Sequence, residues 1–147
     1  MTYRPSVEEI RAWVGAAALQ RGRQYVRQGR VLYPRRMGNT LQALCRGQAI
    51  EPYRVEIRLG ENEILRARCT CPAGSGGTCK HVAAVLLQWQ ARPEDFIQPP
   101  PLAEHLQAFS SRDLIRLILR MVERYPDLAE FVWLMRADET DLPPKNG

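Results

Sequence analysis

Along the chain the apolar positions change period twice. From Ile10 through Trp13 and Val14 to Ala17 and Ala18 they recur at three- and four-residue intervals, and Ser6 followed by Glu9 has the spacing of a capping box. The pattern predicts one helix over residues 7–28, closed by Gly29, with Pro34 discouraging continuation. The period then falls to two. Tyr53, Val55, Ile57 and Leu59 alternate with Arg54, Glu56 and Arg58, and Gly60-Glu61-Asn62-Glu63 reads as a hairpin turn. With residues 41–46 before and 64–69 after, this predicts a three-stranded antiparallel meander, too small to stand without a cover on one face.

Helical period returns over residues 80–90, where Val82, Val85, Leu86 and Trp89 share a face that Ala83 and Leu87 widen. Pro93 and Pro99-Pro100-Pro101 predict a stiff extended connector. Beyond it, Ser110 or Ser111 opens a helix with a stripe of Leu114, Leu117, Ile118, Met121 and Tyr125, and Pro126 stops it. A last short helix, residues 127–135, carries Leu128, Phe131, Val132 and Met135; apolar residues such as Leu128, Phe131 and Trp133 are expected to face inward, the alternative being that this segment, with Trp133 near its end, is a contact for a protein partner. The expected class is α+β: an N-terminal helix, a three-stranded meander, a loop and helix, then a C-terminal helical segment. The expected divisions are residues 1–92, a connector 93–101, helices 102–137 and a flexible tail 138–147.

At 147 residues the chain is one domain's worth, which excludes a large multi-domain enzyme. Its longest apolar runs, such as residues 82–87, fall far short of the ~18 residues of a membrane span. The first residues lack the apolar stretch of a secretory signal, so a cytoplasmic location is expected. The net charge of +5 is unevenly spread: residues 1–68 carry thirteen Lys/Arg against six Asp/Glu, or +7, and residues 69–147 eight against ten, or −2. Such segregation raises a local potential suited to an anionic partner.

Three of the four cysteines and one of the two histidines fall within thirteen residues: Cys69, Cys71, Cys79 and His81. Thiolate and imidazole are the donors zinc prefers, and four protein ligands make a closed, structural site. Positions i and i+2 of a strand point the same way, so Cys69 and Cys71 present two sulfurs on one face. Positions 79 and 81 would diverge on a regular helix, so Cys79 belongs at or before the N-cap and His81 in the first turn. A thiolate at that end of a helix is also easier to deprotonate. Disulfides fit the expected compartment poorly, and a Cys-x-Cys bridge is strained. Unpaired buried cysteines beside a surface histidine are the other bland reading. A zinc deaminase would need His-x-Glu, whereas His81 is followed by Val82 and Ala83. Cys45 alternates with Leu41 and Ala43 and reads as core; His105 reads as surface.

The run Cys69-Thr70-Cys71-Pro72, then Cys79-Lys80-His81 and an apolar helix, resembles the SWIM zinc finger. Gly22-x-x-Tyr25, Gly29, Val31 and Pro52-Tyr53-x-Val55 are similar to the segment that precedes the finger in bacterial members. The resemblance implies one structural zinc and a non-catalytic role in DNA binding or protein interaction. It also implies association with a Swi/Snf-type helicase-like ATPase; this chain has no phosphate-binding loop of its own.

Between Arg21 and Arg36 stand six arginines and no acid. On one continuous helix Arg23, Arg27 and Arg30 would share a face, with Arg35 and Arg36 following on the connecting loop and Tyr25 or Tyr33 available to a base. Arg23, Arg27 and Arg30, with Arg21, Arg35, Arg36 and Lys80, are the candidate phosphate contacts of a module that binds nucleic acid, in the first instance DNA, with little sequence preference. The competing reading is a solvated face on a zinc-stabilised protein-interaction adaptor that makes no nucleic-acid contact.

Overall fold

A computed structural model describes residues 2–135. The residues expected to form the tail, 138–147, lie outside them. The chain divides between Pro99 and Pro100 into two compact units.

The first unit opens with two helices where periodicity alone predicted one. α1 (Val7–Val14) carries the capping box, Ser6 accepting from the Glu9 N–H and the Glu9 carboxylate accepting from the Ser6 N–H. It ends at Gly15, whose φ of 88° and ψ of 162° are accessible to glycine alone. The Gly15 N–H closes α1 on the Arg11 carbonyl, and the Gly15 carbonyl accepts the Leu19 N–H that starts α2 (Ala16–Arg27). The apolar spacing runs on across the break, which is why the pattern concealed it.

The sheet is antiparallel with four strands in chain order, β1 (Val31–Met37), β2 (Thr40–Cys45), β3 (Tyr53–Leu59) and β4 (Ile64–Cys69). The three predicted strands are there, and β1 is the addition. Pro34 lies inside it, which an edge strand tolerates because the missing N–H faces no partner strand, and a bulge between Leu32 and Arg35 absorbs it. Tyr33 sits in that bulge at φ 49°.

The connector also corrects the sequence reading. Residues 93–95 form a short 3₁₀ turn, Phe96 is buried edge-on against Trp89, and Ile97 bonds the free side of β1 through the Arg36 N–H and the Pro34 carbonyl. The prolines thus lead a strap along an exposed strand edge before the second unit begins.

Helix α3 (Lys80–Ala91) is buried almost all round, from Val82 to Leu87 and at Trp89, and lies between the two N-terminal helices and the sheet. The sheet meets it with Leu41, Ala43, Cys45, Val55, Ile57, Leu59 and Ala67; α1 and α2 meet it with Ile10, Val14 and Leu19. Gly22 sets the α2 approach. A Cβ there would stand 2.7 Å from the Ala83 Cβ and 2.9 Å from the Ala84 nitrogen, so both helices must carry small residues at the crossing.

The second unit holds α4 (Leu102–Gln107), α5 (Ser111–Arg124) and α6 (Leu128–Leu134), α5 starting at a second capping box formed by Ser110 and Asp113. The expected inward-facing residues are not inside: Phe131 is 73% and Trp133 81% exposed. None of the described residues of these three helices is buried, because three short helices lack a second layer to cover the stripe. No described helix is long and apolar enough to cross a membrane.

The α2–α3 crossing yields a stability prediction. Gly22→Val should destabilise the first unit by about 1–3 kcal/mol through overpacking, measured by urea denaturation. An unchanged midpoint would mean that the crossing is slack.

Candidate metal centre and basic surfaces

The four donor residues come from three successive pieces of backbone. Cys69 ends β4 on the sheet's inward side and Cys71 follows just beyond it. The chain then turns through a 3₁₀ turn, Gly74–Gly76, with the Gly74 N–H on the Cys71 carbonyl. Glycine is required here. A Cβ at Gly74 would overlap the Cys69 carbonyl, and one at Gly77, where φ is 70°, would overlap that of Ala67. The loop is held from outside as well, by the Trp13 indole donating to the Gly77 carbonyl at 2.9 Å. Cys79 is the N-cap of α3 and His81 reaches from the first turn, the division that helix geometry required.

All four side chains are buried, and the three Sγ atoms and the His81 ring nitrogen lie within 4.8 Å of one another. The Cys69 Sγ and His81 Nδ1 are 3.7 Å apart. Zn–S bonds of about 2.3 Å imply ligand–ligand edges near 3.8 Å, so the cage is sized for one ion, with Nδ1 as the histidine donor. Three thiolates and one imidazole fit a structural zinc, which would bind all four and cross-link β4 to α3.

The protonation pattern agrees with a site poised for a cation. The Cys69 thiol beside it, with smaller help from His81 and the Val82 N–H, pulls Cys79 down to about 3. The same contact, together with burial, raises Cys69, and burial raises Cys71. A metal bound by all three sulfurs therefore displaces protons held by Cys69 and Cys71.

Cys45 stays outside the donor set. It is fully buried under the site, its thiol 3.7 Å from the His81 carbonyl, and burial pushes it up to about 12. Its reading as core holds.

The ring of His81 is enclosed by Tyr25, edge-on at 5.3 Å, and Tyr53, tilted at 4.8 Å. Its Nε2 is buried without a hydrogen-bond partner among the described residues. Neither tyrosine was assigned to the site from sequence. Tyr53 shares the two-residue alternation of Val55 and Ile57, and that inward parity was the available signal.

The predicted basic stripe is redistributed. α2 ends at Arg27, so Arg30 leaves the helix, donates to the Arg46 carbonyl and lies 5.0 Å over the Tyr25 ring. The Lys80 ammonium lies 5.3 Å from the same ring, and Arg21 and Lys80 line a cleft of about 440 Å³ beside the zinc cage, with Tyr25 and Tyr53 in its wall. Arg23 and Arg27 share the opposite flank of α2. Arg35 and Arg36 were expected on a loop and are in β1; Arg36 is tied to Thr2 and Gln98, while Arg35 lies on the sheet's outward side. His105 is exposed, as expected.

Residues 53–90, about a quarter of the chain, match the model of the SWIM zinc finger family. The match spans β3, β4, the ligand loop and nearly all of α3. No curated protein and no solved structure matched the chain.

Two measurements test the centre. Purified protein should contain one zinc per chain, Cys79→Ser should lose it and melt at lower temperature, and Cys45→Ala should keep it; loss of zinc in the Cys45 variant would place that thiol among the ligands. Because zinc must displace protons held by Cys69 and Cys71, its affinity should fall as pH falls, by about tenfold per pH unit for each proton released. Competition with a chromophoric chelator between pH 8 and pH 6 measures this, and a flat profile would contradict it.

Proposed function

Starting from a SWIM zinc finger at residues 53–90 with the donor set of one structural zinc, we propose that this protein is a non-catalytic module that binds nucleic acid, DNA in the first instance, with little sequence preference. The observation that carries the reading is the partition of charge between the two units. Residues 1–99 hold fifteen Lys/Arg against eight Asp/Glu, a net +7, and residues 100–147 hold a net −2. A potential of one sign on one compact unit attracts a polyanion and supports sequence-independent contacts. Arg21, Arg30 and Lys80, grouped about Tyr25 beside the zinc cage, are candidate backbone contacts. In this reading the module serves as an accessory to a helicase-like ATPase, contributing affinity for the substrate and no chemistry.

A second reading, a protein-docking adaptor, is favoured by one observation: the second unit exposes Phe131, Trp133 and Leu134.

Fluorescence anisotropy with random-sequence DNA, on protein shown to hold zinc, separates the two. If about five cations meet phosphates of a duplex, log affinity should fall with log salt at a slope of roughly −4 to −5. Absence of binding at low salt would overturn the nucleic-acid reading and leave the adaptor.

A further inference from the structure

Apart from Arg35, the outward face of the sheet was assigned no role by sequence, because the alternation there served only to locate the buried residues. The register shows what that face carries. Glu56 and Arg58 of β3 stand opposite Arg68 and Arg66 of β4, Arg54 lies on the same side of β3, and Arg35 is opposite Gln42 across the β1–β2 pair. Two acids border these five arginines: Glu61 of the β3–β4 turn lines the hollow beside Arg58 and Arg66, and one acid lies within the outward face of the strands. That acid, Glu56, is occupied by Arg68 at 3.1 Å and by the Gln42 amide.

The arrangement is unfavourable by itself. Arg58 and Arg66 are directly opposed in register, and like charges in that relation destabilise a sheet. Neither forms an ion pair among the described residues. Protection of an exposed edge accounts for charges on β4, but β3 is a central strand and carries Arg54 and Arg58 on the same face. Two hollows of about 630 and 710 Å³ lie on this face and meet at Gln42, Glu56 and Arg68. Arg35 lines the larger, and its Nε is buried with no hydrogen-bond partner among the described residues.

From this arrangement we infer that the outward face of the sheet is a docking surface for the phosphate backbone of duplex nucleic acid. Successive outward residues on a strand are about 6.6 Å apart and neighbouring strands about 4.8 Å, so the guanidinium groups form a two-dimensional array able to follow a ladder of phosphates. The occupant is a duplex because β2, β3 and β4 carry no aromatic residue on this face, and Tyr33, exposed in the β1 bulge, stands alone and out of register; single strands are held on sheets by stacking successive bases on aromatic rings. The inference rests on the nucleic-acid reading above and adds to it a surface separate from the cations beside the zinc.

The test compares the wild-type protein with Arg58→Gln/Arg66→Gln and, as a control for net charge, with Arg116→Gln/Arg120→Gln in the second unit. Zinc content and melting temperature verify folding; relief of the Arg58–Arg66 repulsion should leave the sheet variant as stable as wild type or more so. On a random duplex, removing two phosphate contacts should flatten the log–log salt slope by about 1.8 and, with the 1 M intercept unchanged, weaken binding roughly 60-fold at 0.1 M salt. The control should keep the wild-type slope. Equal losses in both variants would reduce the effect to net charge, and wild-type affinity in the sheet variant would remove the face from the interface; either overturns the inference while the nucleic-acid reading stands. Single strands bound as tightly as duplex, and equally sensitive to the sheet substitutions, would overturn the choice of duplex. Failure of the wild-type protein to bind any DNA would overturn the reading beneath it.

Discussion

Convergence of three thiols and an imidazole on one point is the constraint around which the first unit is organised. One donor ends the last strand and a second follows two residues on, while two begin the central helix, with seven loop residues between Cys71 and Cys79. Joining them sets where α3 starts relative to β4. Everything that packs on α3 inherits that placement: the sheet's inward residues on one side, Gly22 of α2 on the other, and the two tyrosines around the His81 ring. A helix apolar on nearly every face has little of its own to orient it. The clamp supplies the orientation, and the Trp13 indole fastens the loop from the far side.

The metal centre was legible in the sequence because its logic is local. Donor type and the divergence of Cys79 and His81 on a helix are short-range constraints that the structure meets; strand parity reaches only Cys69, because β4 ends there and Cys71 joins the donors from the bend beyond it. The strands from Thr40 to Cys69 were legible for the same reason, since alternation is strict wherever one face is buried. What escaped depends on context. Gly15 breaks a helix in a place where the apolar rhythm is uninterrupted. The strand at Val31–Met37 contains a proline that only an edge position excuses. The apolar residues of α6 show helical spacing, yet spacing states which residues share a face and not whether anything covers it.

The arginines illustrate the same limit on the side of function. As a string between Arg21 and Arg36 they look like one stripe, but the end of α2 and the start of β1 send them to separate places: the flanks of a helix, the ring of Tyr25, a tether to Thr2 and Gln98, and the outer surface of the sheet. Charge density read along a chain measures the potential of a region, whereas a binding surface depends on which charges the strand register sets side by side. The cross-strand opposition of Arg58 and Arg66 is invisible until β3 and β4 are paired.

The seat of Ile97 against β1 bears on where the zinc-bearing unit can be cut. A fragment ending at residue 92 would look complete by the span of α3, yet it would strip Phe96 from Trp89 and leave the Arg36 N–H and the Pro34 carbonyl without partners along an open strand. Such an edge is a template for a second copy. Self-association of that shortened piece would be an artefact of where it was cut, and the natural end of the unit lies at the first prolines of the triplet, after the strap has been laid down.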